Sequence, residues 1–228
     1  AYSTGLMMAN VDTVDITVRG KGGHGSAPHT TVDPVVLAAR IILDLQTIVS
    51  RELNPTVTTA GSIHGGSKHN IIPPEVKLQL TVRTLKDEVR KQVLESIVRI
   101  TKAAAQGARA PEPLIRIEHD DFTPAVFNDG ALARKTAAAF RDLLGADKVH
   151  ETGPVMGGED FGRYGREGVP IFFYFLGTMT PERIAESLKP NGPPLPSLHS
   201  DLYYPIPAPS IRSGVLTMSV GVLNLLGK

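Results

Sequence analysis

Between Val11 and Arg19 the chain alternates. Val11, Thr13, Asp15, Thr17 and Arg19 fall on one side and Asp12, Val14, Ile16 and Val18 on the other, the period of a half-buried strand. From Pro34 the period lengthens: Val35-Val36, Ala39, Ile42-Leu43, Leu45-Gln46 and Val49 recur at helical spacing, with Pro34 in the first turn and Asp33 as N-cap. This helix is expected to stop between Arg51 and Pro55. Val57 to Ile63 and Glu75 to Leu85 read as the next two strands, joined by a loop over Gly65 to Pro74. In the second of these, Val76, Leu78, Leu80 and Val82 share one face, and Lys77, Gln79, Thr81 and Arg83 the other. Asp87 is placed to cap a second helix through Val89, Val93, Ile97, Ile100 and Ala104, ended by Gly107, and Leu114 to His119 reads as a fourth strand.

The order β-α-β-β-α-β is that of a split ferredoxin-like unit, which closes by about Phe122. Beyond it, Gly130 to Leu144 reads as a helix, Ile171 to Leu176 as a fully buried strand and Ser210 to Leu226 as a final amphipathic helix. These belong to a second α/β layer. At the other end, Gly5-Leu6-Met7-Met8-Ala9 reads as the end of an element already under way, which leads us to expect further chain upstream.

With 228 residues, 41% of them hydrophobic, the chain can bury a large core or two small ones. Its 24 basic and 23 acidic residues give a net charge of +1, with no basic block or basic stripe interleaved with aromatics, which argues against nucleic acid and acidic membranes as partners. No run approaches the eighteen or so apolar residues that span a bilayer. Cysteine is absent, which removes disulfides and thiolate chemistry together and fits a cytoplasmic location.

Three clusters and one loop carry candidate chemistry. Gly20-Lys21-Gly22-Gly23-His24-Gly25-Ser26-Ala27-Pro28-His29 sets an imidazole among four glycines, residues that reach φ > 0 and tolerate close approach of backbone or ligand. His69-Asn70-Ile71-Ile72-Pro73, with Arg83 on the strand that follows, offers an amide and a guanidinium able to donate to a carboxylate or an oxyanion. Gly157-Gly158-Glu159-Asp160-Phe161 places two adjacent carboxylates after a glycine pair, suited to hard-cation ligation, to a cationic group or simply to a helix N-terminus. Of the seven histidines, at 24, 29, 64, 69, 119, 150 and 199, His199 lies in a proline-flanked loop after a predicted buried strand, a usual place for a ligand or catalytic group.

Taken in order, the glycine-rich His24 loop, the HNIIP loop, Arg83 within TVRTL, the GGEDF turn and the LHS loop resemble the zinc-dependent amidohydrolases of the aminoacylase and carboxypeptidase superfamily. The nearest branch looks like hippurate hydrolase and the hydrolases of indole-acetyl-amino acids, and the likeness runs essentially from Ala1 to Lys228. The resemblance implies an α/β catalytic domain, of which residues 1–9 and 123–228 form the C-terminal part, with an inserted α+β lid of ferredoxin-like βαββαβ order at residues 10–122 that mediates homodimerisation. It implies that His24 reaches into the partner subunit's site to polarise the scissile carbonyl, that Asn70 and Arg83 hold substrate or oxyanion, and that His199 binds metal. Glu159 falls close to the site, with its contact to metal or substrate, and that of Asp160, left open.

The same resemblance implies a divalent metal, zinc with manganese or cobalt as alternatives, and a metal-activated water that cleaves the amide bond of an N-acyl amino acid. In such enzymes most metal ligands precede the lid. A catalytic zinc takes three protein ligands, and this chain nominates one, so the centre is expected to be incomplete here. Two further readings stay open: a non-catalytic dimerisation or binding module of the same fold, and a related metallopeptidase or deacetylase.

Overall fold

The computed structural model describes residues 1–49 and 56–227. Its strands are β1 (Gly5–Met8), β2 (Asn10–Arg19), β3 (Gly23–His24), β4 (Thr56–Gly65), β5 (Ile71–Ile72), β6 (Glu75–Thr84), β7 (Leu114–Ile117) and β8 (Val126–Asn128). The α-helices are α1 (Pro34–Thr47), α2 (Asp87–Gly107), α3 (Gly130–Leu144), α4 (Gly162–Arg166), α5 (Pro181–Ser187) and α6 (Pro207–Leu226). The described chain divides into two compact units, one comprising residues 6–127 and 154–169, the other residues 1–5, 128–153 and 170–228.

In the first unit, β4, β6, β2 and β7 lie in that order in one antiparallel sheet. The register of β2 on β6 runs from Asn10 opposite Thr84 to Arg19 opposite Glu75, ten pairs without a break. Alternation then decides the faces: Val14, Ile16 and Val18 from β2 and Val76, Leu78, Leu80 and Val82 from β6 are buried under α1 and α2. The helices supply Leu37, Ala38, Ile41 and Leu45, and Val93, Leu94, Ile97, Ala104 and Ala105. The opposite face is polar, with Ser62 donating to Gln79 (3.0 Å) and Gln79 donating to Asp15 (3.0 Å) across three strands.

Several local expectations are met to the residue. Asp33 caps α1 by accepting from the amides of Val35 and Val36, and α3 has the expected bounds, with a cap not foreseen in Asp129, which accepts from the amide of Leu132. The expected stop of the first helix, Arg51 to Pro55, lies outside the described residues. Asp87 does not cap α2: Lys86 holds that position without a side-chain bond, and the Asp87 carboxylate instead accepts from Asn10 Nδ2 (3.3 Å) and Arg166 (2.9 Å). The helix ends at Gly107 as expected, and the left-handed residue that follows it is Arg109, at φ 54°.

The entrance and exit of this unit are tied together. Val11 and Thr123 exchange both backbone bonds (2.8 and 3.0 Å), and buried Asn10 accepts from the Ala125 amide (2.7 Å). Beside them Arg90 grips Asp12 through Nε and Nη2 (2.7–3.0 Å) and lies 3.5 Å from the centroid of the Phe122 ring; the Asp12 side chain is 1% exposed.

In the second unit α3 packs on α6, and Tyr2, Ala133, Ala137, Phe140 and Val149 form the core with Phe172 and Tyr174. Asn128 organises it, donating to the carbonyls of Ser3 and Phe173 (both 2.9 Å) and accepting from the Phe173 amide (2.6 Å). Two expectations fail here. Ile171 to Leu176 is extended but belongs to no sheet ladder; only Ile171 is buried, and the segment is held by Asn128 and by backbone bonds between Ala1 and Phe175. The final helix buries Thr217 alone, while Ile211, Val215, Met218, Leu223 and Leu226 are each at least 60% exposed. Its apolar residues encircle the helix instead of forming one stripe, so one neighbour cannot cover them. Among the described residues no helix is long and apolar enough to cross a membrane.

Two stability predictions follow from these buried polar links. Asn128→Ala strands three backbone groups and is expected to cost about 3 kcal/mol, read as a lowered thermal midpoint. Arg90→Ala leaves Asp12 buried without its partner and is expected to cost about 3–5 kcal/mol. In denaturant titrations the Asp12→Ala/Arg90→Ala double variant should be less destabilised than Arg90→Ala alone; equal or greater loss would show that the pair does not matter.

Candidate functional site

The His24 loop leaves the sheet at Gly20 and enters α1 at Pro34. Its base is closed by a reciprocal backbone pair, Lys21 to Val32 (2.9 Å) and Val32 to Lys21 (3.0 Å), and Gly20 donates to the Pro74 carbonyl (2.8 Å). Inside it, a 3-10 turn at Pro28–Thr30 is stabilised by Thr30 and Thr31 hydroxyls donating to the carbonyls of Ala27 and Pro28. His24 stands on β3, which pairs antiparallel with β5, Gly23 opposite Ile72 and His24 opposite Ile71. The Gly25 amide donates to the Asn70 carbonyl at 2.7 Å. The two loops nominated separately in sequence are therefore one structure, with His24 and Asn70 side by side and exposed.

The glycines serve this contact through the expected close approach of backbone and not through φ > 0. None of Gly20, Gly22, Gly23 and Gly25 has positive φ; the left-handed glycine of the corner is Gly66, at φ 79°. They are small because neighbours crowd them: an added Cβ would lie 2.3 Å from the Val32 carbonyl at Gly20, 2.9 Å from that of Ile72 at Gly22, and 3.1 Å from that of Asn70 at Gly25. On the ring itself, Ser26 meets Nδ1 twice, through its hydroxyl at 2.7 Å and its backbone amide at 3.2 Å.

Arg83 and Glu159 belong to the other end of the sheet. Arg83 lies eight residues along β6 from Glu75, where β6 meets the His24 corner, and extended chain rising about 3.4 Å per residue puts that at roughly 27 Å. There it is half-buried, and its guanidinium donates to the Met156 carbonyl (2.8 Å), just before the glycine pair. The same segment is laid along β1 by backbone bonds from Val155 to Met7 (3.0 Å) and from Ala9 to Gly157 (3.0 Å). Gly158 has no room for a side chain, since a Cβ there would fall 2.3 Å from Val11 Cγ2. Glu159 is half-buried and turns back to accept from the amide of Asp160 (3.0 Å).

His199, in the second unit, is exposed in a turn closed by Ser200 to Ser197 and Tyr203 to Ser200 backbone bonds. Among the described residues no three His, Cys, Asp or Glu side chains converge as a metal-holding group. The donors among the described residues do not by themselves make a catalytic metal centre, which takes at least three protein ligands. An open groove of about 910 Å³ runs along β7, and none of the five candidates lines it.

Sequence reasoning missed Ser26, whose signal is its spacing of two from His24, and the β3–β5 ladder, whose strands are too short to show a period. It also missed the Asn10, Asp12 and Arg90 cluster, because polar residues on a strand's core face read as interruptions of the pattern.

The crowding at Gly20 yields a test. Gly20→Ala drives a methyl group into the Val32 carbonyl and is expected to cost about 1–3 kcal/mol, whereas Gly25→Ala, facing a looser contact, should cost less. Thermal unfolding ranks the two, and proteolysis within residues 20–32 should accelerate more in Gly20→Ala.

Residues 8–108 match the family model described as a peptidase dimerisation domain, a span that contains His24, Asn70 and Arg83. Over 181 residues the chain is 38% identical to N-acetylcysteine deacetylase of Bacillus subtilis, covering 76% of this chain and 45% of that protein. Over 182 residues it is 35% identical to IAA-amino acid hydrolase ILR1-like 2 of Arabidopsis thaliana, covering 78% of this chain and 40% of that one. The structure superposes on a dinuclear metal binding peptidase of the M20 family from Bacillus subtilis with a TM-score of 0.70 and 25% identity, covering 98% of this chain and 51% of that chain. The chain thus spans about half the length, or less, of the proteins it matches. A peptidase dimerisation domain at residues 8–108, in a chain similar to deacetylases and amino acid conjugate hydrolases, supports the amidohydrolase superfamily.

Proposed function

We propose that this chain is the lid and the C-terminal part of the catalytic domain of a metal-dependent amidohydrolase that cleaves N-acyl amino acids of the hippurate kind, acting in the cytoplasm as a homodimer joined through the lid. In this reading residues 10–122 are the ferredoxin-like lid, and residues 1–9 and 123–228 belong to the catalytic domain. The element order β2-α1-β4-β6-α2-β7 and the strand order β4-β6-β2-β7 favour that assignment. The exposed apolar residues of α6 and the greater length of the relatives favour a catalytic domain larger than this chain.

One observation carries the dimeric reading. His24 and Asn70 sit at one end of the lid sheet, while Arg83 and the Glu159 segment sit at the other, so a single lid does not unite them. Two copies related by a twofold axis would bring one chain's histidine end to the other's arginine end. There His24 and Asn70 would donate to the carbonyl oxygen as it gains charge, and Arg83 would exchange its backbone partner, Met156, for the carboxylate of the amino acid. The metal ligands and the group that activates water would come largely from outside this chain, with His199 as its contribution.

The acyl group is open. Small acyl groups fit the likeness to a deacetylase, and larger aromatic ones the likeness to an IAA-amino acid hydrolase. A non-catalytic dimerisation module remains the second reading, favoured by the absence of a metal-holding group among the described residues.

Metal analysis and hydrolysis of hippurate and N-acetyl amino acids separate these readings. The 228-residue chain alone is expected to hold no stoichiometric metal and to turn nothing over, whereas the full-length protein should do both. In the full-length protein His24→Ala should lower kcat by about 10²- to 10³-fold, the loss typical of one oxyanion donor. Near-normal turnover in that variant would overturn the assigned role, and a dimer that survives disruption of the lid would overturn the interface.

A further inference from the structure

We infer that Ser26 is a positioning residue that fixes the tautomer of His24, holding the proton on Nε2 so that the exposed edge of the ring is always a hydrogen-bond donor. A neutral imidazole has one N–H and one lone pair, and which nitrogen holds which is set by its partners. At Nδ1 of His24 the partners are the Ser26 backbone amide at 3.2 Å and the Ser26 hydroxyl at 2.7 Å. A hydroxyl can donate or accept, so by itself it decides nothing. The amide can only donate, and it meets Nδ1; a proton on Nδ1 would face it N–H to N–H. The lone pair therefore lies on Nδ1 and the proton on Nε2.

The hydroxyl reinforces what the amide selects. With the lone pair on Nδ1, Ser26 Oγ is free to donate to it, and at 2.7 Å it is the shorter of the two contacts. The ring is otherwise exposed and free to flip or exchange its proton with water. The turn that places Ser26 is built locally: the Ala27 amide donates to the His24 carbonyl (2.9 Å), and Gly25 is pinned to Asn70 (2.7 Å), so residues 24–27 curl around the ring's inner edge. Among the described residues no charged group takes part. What this gives the protein is a fixed outward donor on a flexible-looking glycine loop, the property an oxyanion donor needs, since a donor already oriented costs no reorganisation when charge develops. The functional value of the device rests on the catalytic reading of His24, but the tautomer itself does not.

The test is nitrogen NMR of the uniformly ¹⁵N-labelled chain on the alkaline side of the histidine titration. Long-range ¹H–¹⁵N correlations distinguish the two tautomers, and the His24 signals are identified by their loss in His24→Gln. The wild-type chain and Ser26→Thr, which retains hydroxyl and amide, are expected to show the Nε2–H form alone. Ser26→Ala, which retains only the longer amide contact, should admit a measurable share of the Nδ1–H form. Ser26 lies on an exposed loop, so the alanine variant leaves the core untouched. A proton on Nδ1 in the wild type would overturn the inference, and an alanine variant indistinguishable from it would overturn the part given to the hydroxyl and leave the tautomer to the amide alone. If the tautomer responds as expected while His24→Ala leaves turnover of the full-length enzyme intact, the oxyanion reading fails and the positioning role stands.

Discussion

The hydrogen bond from the Gly25 amide to the Asn70 carbonyl joins two loops that have no core of their own. Each is largely exposed, and one such bond contributes only about 1 kcal/mol net. The corner keeps its shape because it continues a much stronger structure: β3 and β5 lie where β2 and β6 end, and Gly20 is bonded to Pro74 at the same place. The position of the imidazole is thus inherited from the ten-pair register of β2 on β6, which the buried valines, leucines and isoleucine of both strands enforce. A slip of one residue would turn that apolar set to solvent and carry the histidine corner with it.

The two ends of the sheet differ in kind. At the Arg83 end, buried Asn10 and Asp12 join half-buried Arg90 and Phe122 in a knot that ties the entrance of the unit to its exit. At the His24 end nearly everything is exposed and held by backbone. Burial and ion pairing make the first end costly to alter and poorly suited to exchanging partners, except through Arg83, which is only half-buried and engaged by a neutral carbonyl. The second end offers donors to solvent at little structural cost. A site assembled from both would combine a rigid anchor with an accessible donor.

Much of the first unit was legible in sequence because its strands alternate cleanly, as β2 and β6 do, and because Asp33 and Pro34 mark a helix start without ambiguity. Legibility ended where tertiary contacts replaced local chemistry. Asp87 falls one residue inside the helix, with Lys86 at the cap position, and its carboxylate is taken up by Asn10 and Arg166. The apolar run from Ile171 reads as a buried strand, yet its backbone is satisfied by the side chain of Asn128, a partner no periodicity announces. At the site, residue types and order pointed to His24, Asn70 and Arg83, but not to the separation of Arg83 from the other two. That follows from counting residues along β6 once the register is known.

A serine hydroxyl 2.7 Å from a histidine nitrogen is also the spacing of a nucleophile and its base, so the role of Ser26 has to be argued against that chemistry. In a nucleophile–base pair the ring nitrogen must be free to take the proton, and a third group holds the opposite nitrogen to stabilise the charge that results. Here the nitrogen facing Ser26 already meets the amide of that same residue, which opposes protonation there. Among the described residues Ser26 supplies both hydrogen bonds to the ring, and no carboxylate is paired with its far side. The hydroxyl is moreover turned inward by a contact only two residues long. The geometry therefore suits a serine that orients a donor and not one that attacks a substrate.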